Sequence, residues 1–142
     1  MKLHSIAINN LNSLLAIFNC KEENPANLFK KPVSQYSVAV FDSIGKFKSD
    51  ITISLVNPER HTIFDTHKLI SVISLPRASI LAVILDYDTI DLIGMTIRHR
   101  LHHLRRLTFD KFTTVKRVRH SDRRHAIVML HRDSMSIVDI VC

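Results

Sequence analysis

The chain has 142 residues, 46% of them hydrophobic and 23% charged, and carries a formal net charge of +7. A chain this long can bury roughly two thirds of its unfolded surface, so one domain with an ordinary core is expected. Only two glycines occur, which excludes glycine-rich phosphate loops and leaves most turns to Asn, Asp and Ser.

Residues 5 to 19 place Leu11, Leu14, Leu15 and Phe18 at helical spacing, which predicts a short N-terminal helix and assigns residues 1–20 to a helical arm. The polar stretch KEENPANLFKKPVSQ, with two prolines, reads as a loop or linker over 21–35. The main body, 36–142, opens with YSVAVFD and SDITISLV, two strands about the turn SIGK, and NPER is the next turn. HKLISVISL fits a short helix or a buried strand equally, and Pro76 ends it. SILAVILDY is a strong buried strand.

DTIDLIGMTIRHRLHHLRRLTF then follows a helical period, with Ile93, Ile97, Leu101, Leu104 and Leu107 in one stripe. Asp88 is placed to cap it, and Asp91 adds a negative charge to the first turn. FTTVKRVRH, HAIVMLH and SMSIVDIV close the chain as strands. The predicted fold is α+β: one mostly antiparallel sheet of five or six strands with the long helix packed on a face.

The positive charge is concentrated. Between Gly94 and Asp133 there are eleven Lys/Arg against three Asp, and six of the nine histidines. The rest of the chain is close to neutral. On the expected helix the leucine stripe would face the sheet and leave Arg98, Arg105, Arg106, His102 and His103 toward water. Lys116, Arg117, Arg119, Arg123 and Arg124 would extend the same surface from the next strand and turn. Ordinary solvated faces mix signs, whereas this one has few acids. Such a surface binds polyanions by counterion release, and arginine's planar fork matches phosphate oxygens. The expected function is therefore non-specific binding of RNA or DNA, as in a small regulatory or viral accessory protein. The ten residues just named are its phosphate contacts, with the histidines as auxiliary donors. Only Phe109 and Phe112 lie in the basic window for stacking, so phosphate and shape contacts are favoured over base reading.

Catalysis and cofactors are not expected. His99 and His103 share a helical face at the spacing of a zinc site, but Arg100 stands where the basic glutamate belongs, and guanidinium groups crowd the position. His61, His67 and His120 have hydroxyl or carboxylate neighbours without any wider catalytic signature. The alternatives to nucleic acid are a peripheral matrix or adaptor protein docked on anionic lipid, or a protein–protein interaction module, with homo-oligomerisation open. A membrane protein of the first kind would add an apolar or lipid anchor, and neither a myristoylation start nor a CaaX box occurs. The start MKLHSIAINNLNSLLAIF is interrupted by asparagines, and Cys20 and Cys142 read as reduced thiols. An intracellular protein, cytoplasmic or nuclear, is expected.

Overall fold

The computed structural model describes residues 2–9, 11–21, 34–56, 66–75, 79–86, 89–108, 117–121, 126–130 and 135–139. Among these there is no helix. The α+β expectation, with its long helix and its N-terminal helix, gives way to an all-β fold.

Two four-stranded antiparallel meanders form the body. The first is β1 (Lys2–Ile8), β2 (Leu14–Lys21), β3 (Ser34–Phe41) and β4 (Phe47–Ser54), paired in chain order. The second is β5 (Leu69–Leu75), β6 (Ile80–Leu85), β7 (Thr89–Met95) and β8 (Leu101–Thr108), also in chain order. The two sheets face each other, with β1 beside β5 and β4 beside β8. Leu15, Ile17, Tyr36, Val38, Val40 and Ile53 of the first meet Leu81, Val83, Leu85, Ile93 and Met95 of the second in one core. Burying a side chain of this size contributes about 1.5–3 kcal/mol.

A third sheet, β9 (Arg117–Ser121), β10 (Ala126–Leu130) and β11 (Met135–Asp139), has β10 at its centre. Ile127 of β10 joins Leu75, Ala82, Ile84 and Ile90 in a second core on the far face of the second sheet. That sheet is thus covered on both sides. This is why β6 reads as an unbroken apolar run rather than as an alternation.

The same double coverage explains the error over residues 88–107. In β7 both faces are buried and mostly apolar: Ile93 and Met95, beside Asp91, turn to the first sheet, Ile90 and Leu92 to the second core. An apolar run of this sort satisfies a helical period as readily as a strand. The helical stripe is in fact cut in the middle. His99 has φ of +63°, outside any right-handed helix, and turns the chain from β7 into β8. At the N-terminus the asparagines are the decisive residues. Asn12 has φ of +56° in the turn between β1 and β2, a conformation that Asn tolerates better than most side chains. Leu11 therefore sits on a turn, and Leu15 and Ile17 enter the core from β2. Residues 22–33 of the expected linker lie outside the described residues.

Candidate functional site

β8 is an edge strand, and its register decides where the basic cluster goes. Its pairing with β7 slips by one residue: Ile93 opposes His103, but Leu92 opposes Arg105, so Leu104 is a bulge. Gly94 leaves room for the Leu104 side chain, since a Cβ there would stand 3.0 Å from Leu104 Cδ1. The extra residue resets the alternation. His103 and Arg106 face the first sheet, opposite Ile93 and Asp91. Arg100, His102 and Arg105 face the other way, opposite Thr96, Gly94 and Leu92.

On the inner side lies a polar hub that sequence reading missed. Asp91, fully buried, is its centre. Arg106 donates to it twice, Nε to Oδ1 at 2.7 Å and Nη2 to Oδ2 at 2.9 Å. The Tyr36 hydroxyl of β3 donates to Oδ2 at 2.5 Å, and His103 Nε2 lies 3.1 Å from Oδ1. Arg106 Nη2 also donates to the Ser54 carbonyl of β4 at 2.8 Å. The hub therefore joins β3, β4, β7 and β8, that is, both sheets.

Burial alone would raise the Asp91 pKa. The hydrogen bonds from Arg106 and Tyr36, with the Arg106 charge and the His103 contact, outweigh it, and the carboxyl stays below the usual carboxylate range. Desolvation first, then the Asp91 charge, pushes the Tyr36 phenol far above its ordinary value. Hydrogen bonding to Asp91 raises Arg106 despite burial. Each Asp91 oxygen already has two partners, so its lone pairs are occupied and it is not poised as a general base. An open depression of about 330 Å³ borders the hub, lined by Ile51, Thr52, Ile53, Ser54, His103 and Arg106.

Of the ten expected phosphate contacts, the structure brings some together and separates others. Arg98 is exposed on the β7–β8 turn, and His102 and Arg105 are exposed along β8. Arg100, not among the ten, shares their face. None of these four has an ion pair to a described residue. Arg106 and His103 are engaged with Asp91. Arg117 and Arg119 lie in β9, at register positions opposite Leu130 and Val128. β9 runs beside β5, the edge of the second sheet opposite β8. Lys116, Arg123 and Arg124 fall outside the described residues.

Elsewhere, buried His67 pairs with Asp86, Nδ1 to Oδ1 at 3.1 Å. His61 lies outside the described residues. The helical geometry that would set His99 and His103 on one face is absent, since one is in a turn and the other on a strand. Among the described residues no three His, Cys, Asp or Glu converge to hold a metal ion. Cys20 is a free, half-buried thiol. No described helix is long and apolar enough to cross a membrane.

The hub did have a sequence signal. Asp91 stands alone in the apolar strand TIDLIGM, and a carboxylate surrounded by buried positions requires a charged partner. No family model, no curated protein and no solved structure matches this chain.

Proposed function

We propose that the chain is a non-catalytic binding module that holds nucleic acid by its phosphates. The footprint is smaller than the sequence suggested. It consists of His102 and Arg105 on the outer face of β8, with Arg98 and Arg100 on the adjoining β7–β8 connection. The observation that carries the proposal is that three exposed guanidinium groups, with exposed His102 among them, lie within eight residues on edge strand β8 and the turn before it and have no carboxylate partner among the described residues. Their charge is available to displace condensed counterions. Arg106, although adjacent in sequence, is already neutralised by Asp91.

Fluorescence anisotropy with short RNA and DNA duplexes tests this. The wild type should bind both with similar affinity, and binding should weaken steeply as salt rises. The pair Arg100→Glu with Arg105→Glu should weaken binding at least tenfold and lower the salt slope by about two. Circular dichroism should be unchanged, since neither side chain is bonded to a described residue. Unchanged affinity in the variant at roughly 50 mM salt removes this face as the site.

A further inference from the structure

Three of the hairpin connections are built to one plan. Between β1 and β2, Asn9 N donates to Ser13 O and Asn12 N to Asn9 O. Between β3 and β4, Asp42 N donates to Lys46 O and Gly45 N to Asp42 O. Between β7 and β8, Thr96 N donates to Arg100 O and His99 N to Thr96 O. Each has its fourth residue in the left-handed region: Asn12, Gly45 and His99. Each opens on a side chain that closes the loop from within. Asn9 Oδ1 accepts from Leu11 N and Ser13 N, Asp42 Oδ1 from Ile44 N and Lys46 N, and Thr96 Oγ1 from Arg100 N.

All three turns lie at one end of the sandwich. The Asn9 side chain reaches Met95 Sδ at 3.7 Å, and the Ser49 hydroxyl donates to the His99 carbonyl. At each tip an aliphatic side chain faces solvent: Leu11, 43% exposed, and Ile44 and Ile97, both 85% exposed. Behind them a cross-strand row on the outer face of the first sheet is also apolar. Ile8 opposes Leu14, Leu14 opposes Phe41, and Phe41 opposes Phe47. Ile8 and Phe47 are exposed.

The charges around this end are positive. Lys46 and Arg98 stand exposed on the turns beside Ile44 and Ile97. The acid among them, Asp42, is occupied by Lys48 at 3.6 Å and by the backbone of its own turn. Asp50 lies further along β4, opposite Ala39.

We infer that this end of the sandwich docks on anionic phospholipid, with Leu11, Ile44 and Ile97 entering the acyl boundary and Lys46 and Arg98 lying at the headgroups. Three features select a membrane over another protein. The aliphatic groups are separate projections and not one flat patch. Much of the polar backbone of their turns is bonded within the loop itself, which lowers the cost of approaching apolar surroundings. The flanking cations suit a negative leaflet. The docking end shares Arg98 with the phosphate footprint but rests on the turn tips and not on the β8 face, and these tips would supply the apolar anchor that the sequence did not reveal.

The test is sedimentation of the full chain with mixed vesicles of phosphatidylserine and phosphatidylcholine. The wild type should pellet with them, and less with pure phosphatidylcholine. The triple variant Leu11→Ser, Ile44→Ser, Ile97→Ser changes only exposed positions, so it should keep its circular dichroism and duplex affinity. It should lose vesicle binding by about a thousandfold, about tenfold per tip. Arg100→Glu with Arg105→Glu should weaken duplex binding at least tenfold while retaining most vesicle binding. Four results would overturn the inference: wild-type protein that stays in the supernatant; equal pelleting with neutral vesicles; a triple variant that pellets as before; or loss of duplex binding in that variant. Wild-type dimers in analytical ultracentrifugation that the triple variant dissolves, without vesicle binding, would assign the end to a second copy instead.

Discussion

Arg105 and Arg106 are neighbours of the same type, and they do opposite things. Arg106 turns inward, holds a buried carboxylate and ties β8 to β4. Arg105 is exposed and has no ion pair to a described residue. The general lesson is that a run of cations on a strand is not one surface. Alternation divides it between two faces, and a bulge such as Leu104 decides which residue goes where. The inner half becomes structure and the outer half remains exposed.

The largest effect expected from this contrast is on stability. Arg106→Ala leaves Asp91 buried without its guanidinium partner, and should cost about 3–5 kcal/mol in urea denaturation. Arg105→Ala should fall within about 0.5 kcal/mol of wild type. Equal effects would show that the two residues are not divided as described. Tyr36→Phe removes one donor to the same carboxylate and should cost about 1.5–3 kcal/mol.

The hub also predicts an acid limit. Asp91 has a folded-state pKa below its unfolded value, so its contribution is complete above about 3.9 and is lost as pH falls from there through the folded value. Wild-type stability should decline below about pH 4, and Asp91→Asn, less stable at neutral pH, should decline less steeply over that range. Parallel curves would separate the acid response from the hub. A smaller effect is expected at the bulge. Gly94→Ala brings a methyl group against Leu104 and should cost about 1 kcal/mol, most of which Leu104→Ala should restore. If the second substitution restores nothing, Leu104 is not what Gly94 accommodates.

Much of the strand order was readable along the chain. YSVAVFD, SDITISLV, SILAVILDY and the three C-terminal segments form strands close to where alternation and β-branched content placed them. The two helices were misread for a common reason. Leucines three or four apart fit both a helix face and strands buried on two sides, and periodicity cannot separate these. The sharper clues were single residues. The asparagines around Leu11 marked a turn, and Asp91 within TIDLIGM marked a buried pair. Nothing local could show that Tyr36, 55 positions earlier, would complete that pair.

By itself the sequence determined a β-rich body and a charge excess confined to the last third, because residue type and alternation are local properties. The tertiary structure alone decided which arginine takes up the buried carboxylate, since only a sheet register and a second sheet can bring Asp91 to Arg106 and not to Arg105. It alone also set three aliphatic turn tips at one end, because strands far apart in the chain must first pair and stack before their connections can meet.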